Sequence, residues 1–217
     1  MALLNDETKK LLERYCDSAC NLYGIIKLSK LLSIYNSQNE PITEEEFLSF
    51  IEEIDLEHKH YDFIGEDEFY EDIDEVPALE RDLIAEYFIM DDDMSYYYNV
   101  KKGQRGKSYY VPEKAKLLKY EDEFYHEKTL SFISLRAFFR NQPSLTKEIA
   151  DGIVEDIYGS ANVYGRDIDD VINLIPFVFQ FNDSTLDEFI PLYMEMYDDI
   201  RLHINCGYTT NEIHKMF

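Results

Sequence analysis

The chain has 217 residues, with 45 acidic against 21 basic side chains and a formal net charge of -24 at pH 7. Its 45% hydrophobic and 15% aromatic content can build a folded core, so the charge does not indicate a disordered acidic tail. The charge excludes a protein that holds nucleic acid by general neutralisation of phosphates, because that mode needs clustered lysine and arginine.

Nothing in the sequence predicts export or membrane insertion. The first residues carry no basic segment before a long apolar run, and no apolar run approaches the roughly 20 residues that cross a bilayer. The three cysteines, Cys16, Cys20 and Cys206, are an odd number at irregular spacing, which is typical of a reducing compartment. We therefore expect a cytoplasmic protein with no membrane contact.

The charge is distributed unevenly along the chain. Residues 1–100 hold 26 acids and 7 bases, residues 101–120 hold 1 acid and 7 bases, and residues 121–217 hold 18 acids and 7 bases. The densest stretch, residues 66–75, has 7 acids in 10 positions. The sequence thus predicts an acidic domain at 1–95, a basic hairpin or linker at 96–125 and a helical domain at 126–217.

Residues 1–73 show a clear order of predicted elements. Asn5 caps a helix that Gly24 ends, residues 24–27 are a short extended piece, and an apolar stripe gives a second helix that ends near residues 36–39. Thr43 and Glu46 form a capping box that opens a third helix. Residues 61–64 and 69–73 then flank a turn and predict a β-hairpin.

Helix, short strand, helix, helix and hairpin is an order that resembles a winged-helix domain. The fold class expected is therefore mainly α with a small β component, a winged-helix-like N-terminal unit being followed by an α-helical C-terminal unit. In a winged helix that reads DNA, the third helix needs outward Arg, Lys, Asn or Gln side chains. This third helix carries glutamates instead, which favours contact with a protein or a purely structural use.

The acidic side chains of this half are the first candidate binding site. They lie on the third predicted helix and in the stretch that follows the first hairpin strand. The candidates are Glu44, Glu45, Glu52, Glu53, Glu66, Asp67, Glu68, Glu71 and Asp72.

The middle of the chain predicts a helix from Pro77 through Phe88, closed by Asp91–Asp93, and then a hairpin over 96–111. Its loop would carry the second candidate binding site, namely Lys101, Lys102, Arg105 and Lys107. With Tyr97, Tyr109 and Tyr110 as stacking platforms, such a loop could hold single-stranded nucleic acid. The alternative is that the basic loop docks onto the protein's own acidic surface.

Residues 126–217 predict helices throughout, with capping boxes at Thr185–Glu188 and Thr209–Glu212. Three patterns in the chain resemble ligand motifs, and each is incomplete. Gly106-Lys107-Ser108 has Lys101 where a P-loop needs glycine, and His203, Cys206 and His214 leave a fourth zinc position unfilled. The three aspartates at 91–93 lack the spacing of a calcium loop. We predict no cofactor, no metal and no catalytic residue.

Residues 182–213 contain Asn182-Asp183-Ser184-Thr185-Leu186 and, further on, Gly207-Tyr208-Thr209-Thr210-Asn211-Glu212-Ile213. This stretch resembles a helical C-terminal unit of uncharacterised bacterial proteins that often precedes a SEC-C zinc motif. The chain departs from them in having no tryptophan, in carrying Thr210 in place of a proline and in lacking the cysteine-rich tail. The resemblance implies ancestry and brings no activity with it.

Three classes of function follow. The first is a non-enzymatic module that binds a protein with a basic surface through its acidic half, of which a DNA mimic from a phage is a sharper version. The second is a winged-helix regulator that contacts nucleic acid through residues 101–107. The third is a Mg²⁺-dependent phosphoryl-transfer enzyme or nuclease, for which Asp167, Asp169 and Asp170, or Asp91–Asp93, are the only carboxylate groups worth testing.

Overall fold

The computed structural model describes residues 4–90, 94–164, 167–175 and 179–216. The protein is mainly α-helical with one small antiparallel sheet, as the sequence predicts. The chain folds into two compact units, Met1–His126 and Glu127–Phe217. Across the described ranges, every helix is too short or too polar to cross a membrane.

The first unit holds eight of the elements described here. They are α1 (Asp6–Tyr23), β1 (Ile25–Lys27), α2 (Leu28–Gln38), α3 (Glu44–Glu53), β2 (Tyr61–Ile64), β3 (Asp82–Ala85), α4 (Ser95–Gln104) and α5 (Lys114–Leu117). Short 3-10 turns lie at Glu66–Glu68, Ala78–Glu80, Glu86–Phe88 and Leu118–Glu121. The first three helices and the first two strands match the predicted elements.

The predicted helix ends are confirmed by their hydrogen bonds. The Asn5 side chain accepts from the Thr8 amide at 2.8 Å, and Gly24 adopts φ +66° while its amide donates to the Cys20 carbonyl at 2.9 Å. At α3, the Thr43 hydroxyl accepts from the Glu46 amide at 3.2 Å. The Glu46 carboxylate accepts from the Thr43 amide at 2.8 Å, which completes the capping box.

The sheet corrects the predicted hairpin. Its strand order is β1-β3-β2, so the central strand is Asp82–Ala85, and residues 69–73 form no strand. The prediction of one helix through Phe88 is also wrong. All four residues of β3 are buried, and β3 pairs with a strand on each side. A short apolar run of this kind occurs in buried helices as well as in buried strands, so periodicity does not distinguish them. Residues 71–73 are exposed, which suits a connection in water.

The predicted hairpin over 96–111 is wrong as well. Residues 95–104 form α4, whose buried side chains Tyr97, Val100 and Gln104 follow the three-and-four spacing of a helix. The adjacent tyrosines obscure this spacing in the sequence. The segment 96–125 belongs to the first unit, where the turn Leu118–Glu121 packs along α1.

The second unit consists of helices in its described residues: α6 (Leu130–Arg140), α7 (Lys147–Tyr164), α8 (Ile168–Asn173), α9 (Asp183–Asp199) and α10 (Thr210–Met216). Helix α6 packs against α7 and α9 around buried aromatic rings, including Phe132, Phe139 and Phe189.

Two of the predicted capping boxes lie in this unit. The one at Thr185–Glu188 is wrong, because α9 begins three residues earlier and Asn182 accepts from the Thr185 amide at 3.0 Å. The box at Thr209–Glu212 is confirmed by reciprocal bonds of 3.0 Å.

Candidate functional site

Helix α3 presents glutamates to solvent because its apolar side chains face inward. Phe47 and Phe50 are buried in the core of the first unit, while Glu44, Glu45, Glu52 and Glu53 lie on the exposed side. Three acids in the first turn suit the positive end of the helix dipole, whereas Glu52 and Glu53 lie at the unfavourable end. Glu53 forms an ion pair with Lys9 of α1 at 2.5 Å.

The acidic stretch 66–75 belongs to the connection between β2 and β3, and part of it is fixed by hydrogen bonds. The Asp67 carboxylate turns inward and accepts from the Val76 amide at 3.0 Å. Glu68 accepts from the Gly65 amide at 3.1 Å and from Arg81 at 2.6 Å. A Cβ at Gly65 would meet the Asp67 carboxylate at 2.1 Å, so a larger residue there would force the Asp67 side chain to move.

Two aromatic pairs hold the same stretch against α4. Phe69 packs edge-on against Tyr97 with ring centroids 5.6 Å apart, and the Tyr98 hydroxyl donates to the Tyr70 hydroxyl at 2.8 Å. Burial and this hydrogen bond raise the pKa of Tyr98. These contacts keep the connection close to the body of the unit, and Glu71 and Asp72 are exposed on this supported backbone.

The nine acidic candidates therefore divide into two groups. Glu53, Glu66, Asp67 and Glu68 are half-buried or bonded within the unit. Among the described residues, no cation lies within ion-pair distance of the other five, all of which are exposed. We call these five the outward carboxylates: Glu44, Glu45, Glu52, Glu71 and Asp72. The short turn Ala78–Glu80 of the β2–β3 connection packs against α3.

The four basic candidates divide in the same way. Lys101 pairs with the buried Asp82 carboxylate, which also accepts from the Tyr97 hydroxyl at 3.2 Å. Lys102 and Arg105 are exposed at the C-terminal end of α4, and Lys107 is half-buried just beyond it. Docking of the basic segment onto the protein's own acids thus holds for Lys101.

The predicted stacking platforms are not available as a set. Tyr97 is fully buried, and burial together with the Asp82 carboxylate raises its pKa. Tyr109 packs edge-on against Tyr23 at 5.1 Å, and the Tyr110 carbonyl accepts from the Tyr23 hydroxyl at 2.7 Å. The prediction that Tyr97 is exposed for stacking is wrong, because its ring fills the core under α4.

The metal candidates are placed by their structural roles. The Asp167 carboxylate caps α8 by accepting from the Asp169 and Asp170 amides at 3.1 and 3.4 Å. His203 and Cys206 are buried, and His214 is on α10. Within the described part of the chain, no group of three His, Cys, Asp or Glu side chains is arranged to hold a metal ion. Asp91–Asp93 lie outside the described residues.

The first unit also contains a cleft that no sequence motif indicates. We call it the α1 cleft; it has a volume of about 330 Å³ and lies between the C-terminal half of α1, residues 58–61 and residues 121–124. Lys59 in its wall bonds to both Asp17 oxygens at 3.0 and 3.1 Å. Glu123 approaches the His60 ring at 3.6 Å.

Sequence reasoning missed this cleft because its walls come from three distant segments. It also missed the buried pairing of Asp82 and the ion-pair cluster around Arg201. Arg201 is 9% exposed and bonds to Glu127 at 3.1 Å, to the Glu212 carboxylate and to the Gly207 carbonyl at 3.3 Å. Only the Thr209–Glu212 box gave a local signal of that cluster.

Comparison of the chain with protein-family models, with curated proteins and with solved structures finds no match.

Proposed function

We propose that this protein is a non-enzymatic cytoplasmic module that binds a partner protein with a basic surface through the outward carboxylates. The observation that carries the proposal is the exposure of Glu44, Glu45, Glu52, Glu71 and Asp72 with no cation beside them in the described residues. Unpaired carboxylates give long-range attraction to a basic partner and repel nucleic acid. Three buried, unbridged cysteines support a reducing compartment.

The first unit supports a sharper form of this proposal. Its order of helices and strands and its β1-β3-β2 sheet suit a winged-helix-like scaffold, in which the third helix would be the one that reads DNA. Here that helix is α3. It presents carboxylates at the surface where the recognition helix of a DNA-binding protein presents basic or amide side chains. We infer that the partner is a protein whose basic surface normally contacts nucleic-acid phosphates, so that the carboxylates take the place of phosphates.

Two observations favour a binding role over an enzymatic one. Asp167 uses one carboxylate oxygen to cap α8, and Asp169 and Asp170 lie in the first turn of that helix. In the first unit, the buried Asp82 carboxylate is bonded to Lys101 and Tyr97 of α4, so it is not open to a substrate.

A regulator that binds nucleic acid is the second candidate function. It is favoured by the exposure of Lys102 and Arg105, which lie close to Lys107. Two of its predicted contact residues do not serve it, because Lys101 pairs with the buried Asp82 and Tyr97 is buried. Its test is binding of labelled duplex and single-stranded DNA and RNA at low salt. Binding that disappears in K102A/R105A/K107A would support this function, and no binding by the intact protein would end it.

The proposed function is tested by capture of partners from a lysate of the source cells. The baits are the wild type and a variant in which the outward carboxylates are neutralised. A matched bait loses the same charge from exposed acids of the second unit, and circular dichroism checks that both fold. The variant is E44Q/E45Q/E52Q/E71Q/D72N and the control is D156N/D170N/D187N/E188Q/E195Q.

We expect the wild type and the control to capture the same basic proteins and the variant to lose them. Capture should also fall between about 0.05 M and about 0.5 M salt, because screening shortens the range of the attraction. Equal losses in the variant and the control would show that net charge alone decides binding. Capture that is indifferent to salt would contradict an electrostatic interface.

A further inference from the structure

The α1 cleft has the size of a site for one side chain. Its volume of about 330 Å³ lies at the lower end of the range for small-molecule pockets, which is roughly 300–1,000 Å³. All its walls belong to the first unit. The cleft therefore belongs to the same folded body as the outward carboxylates.

The charge in the cleft is negative. Its walls carry four carboxylates and one lysine, and that lysine, Lys59, is held by Asp17. Glu121 is paired with Arg14, and Asp122 accepts from the Phe124 amide at 3.0 Å. Within the part of the chain that the structure describes, the remaining carboxylate of the cleft is Glu123, whose ion-pair contact is the exposed His60 ring at 3.6 Å. A cation that enters the cleft meets an available carboxylate.

The aromatic groups of the cleft add to this preference. Phe124 at its edge is 80% exposed, so its ring is open to a ligand. A guanidinium group can stack on such a ring while its N–H groups bond to a carboxylate beside it. Glu123 and Phe124 are adjacent in the chain and both line the cleft.

Tyr61 forms part of the floor of the cleft. It lines the cleft and is 4% exposed, and its hydroxyl is closed to solvent beside the buried Cys16 thiol. Burial, with the Asp17 and Glu123 charges, raises the pKa of the neighbouring Cys20 thiol to about 12. The Cys20 thiol is thus neutral, and the negative charge of the cleft comes from the carboxylates in its walls.

We propose that the α1 cleft receives the guanidinium group of an arginine on the partner protein, with Glu123 as its carboxylate and Phe124 as its stacking surface. This inference rests on the proposed function, because it supplies a specific anchor to an interface that is otherwise held by diffuse charge. Hot spots of interfaces are commonly arginines that enter a pocket.

The test uses the full chain and three short probe peptides, acetyl-Gly-Xaa-Gly-amide with Xaa as arginine, lysine or citrulline. Titrations are followed by NMR signals of the Phe124 and Tyr61 rings. We expect the arginine peptide to shift both signals and the uncharged citrulline peptide to bind at least about tenfold more weakly. Free arginine is a further arm, since tighter binding of the free amino acid would indicate a small-molecule site instead.

The variants E123Q and F124A each remove one contact at an exposed position, so the fold should remain. Each should weaken the arginine peptide at least about threefold, whereas E188Q in the second unit should not. Equal binding of arginine and citrulline, or unchanged affinity in both variants, would overturn the proposal. Loss of partner capture by the five-site variant with unchanged capture by E123Q and F124A would leave the proposed function standing and remove the anchor.

Discussion

Lys101 of α4 donates a hydrogen bond to Asp82 of the central strand β3, whose side chain is only 5% exposed. The Tyr97 hydroxyl donates to the same carboxylate oxygen at 3.2 Å. This pair fixes α4, which carries the basic residues, against β3. The sequence predicts β3 to be part of a helix. The pair also explains why one of the four basic candidates cannot serve a ligand.

Replacing Lys101 by methionine should destabilise the first unit. The substitution leaves a buried carboxylate with only a tyrosine hydroxyl as its partner. We expect the free energy of unfolding to fall by ~2–3 kcal/mol, near the lower end for a broken buried pair because the Lys101 side chain is 25% exposed. Urea unfolding followed by circular dichroism measures this change.

The control is K102M, one residue further along the same helix at an exposed position. It should change the free energy of unfolding by no more than about 0.5 kcal/mol. The double variant D82N/K101M should recover part of the loss, because no charge then remains buried. If K101M and K102M unfold alike, the Asp82 pair does not stabilise the fold.

Arg201 should be equally important in the second unit. Its guanidinium joins Glu127, Glu212 and the Gly207 carbonyl, and so ties the start of the unit to α10. We expect R201M to lower the free energy of unfolding by ~3 kcal/mol. R201K should recover only part of this, since an ammonium group lacks the fork that reaches both carboxylates.

The comparison for Arg201 is R140M, which breaks the pair of Arg140 with Asp151 on partly exposed side chains. We expect a much smaller loss there, because water solvates both charges. Chemical unfolding of the three variants ranks them. The same loss in R140M and R201M would contradict a special role for the buried cluster.

The capping box of α3 is a third point to test. T43A removes the hydroxyl that accepts from the Glu46 amide and should cost ~1 kcal/mol. T43S keeps the acceptor and should stay within about 0.5 kcal/mol of the wild type. Thermal unfolding at matched concentration distinguishes them. A stable T43A would mean that packing of Phe47 and Phe50 alone holds the helix.

The cysteines should resist thiol reagents in the native protein. All three are buried, and burial raises the pKa of Cys16 and Cys20, the latter to about 12. A raised thiol pKa keeps the reactive thiolate scarce at pH 8, and the thiolate becomes abundant only as the pH rises towards that pKa. Labelling with a chromogenic disulfide at pH 8 should be slow in buffer and fast in denaturant. Rapid labelling of Cys16 or Cys20 in buffer would show that the first unit opens readily.

The N-terminal elements could be predicted because their signals are local. Asn5, Gly24 and Thr43 cap helices through bonds that span only three or four residues. Strand β3 could not be predicted in this way. Its apolar run Leu83–Ala85 suits a buried helix as well as a strand, and only its pairing with β1 and β2 decides between them. The aromatic run at 96–98 led to the wrong prediction of a hairpin, because adjacent tyrosines obscure the helical spacing of the buried residues of α4.

The sequence alone determined the mainly helical class and the strong acidity of the first hundred residues, because composition and periodicity need no tertiary contact. Only the tertiary structure decided which charges remain outward. Folding turned Asp67 towards Val76 and Lys101 towards Asp82, and it left Glu44, Glu45, Glu52, Glu71 and Asp72 in solvent. Chain neighbours cannot reveal this division, because the partners of a buried charge come from residues distant in the sequence.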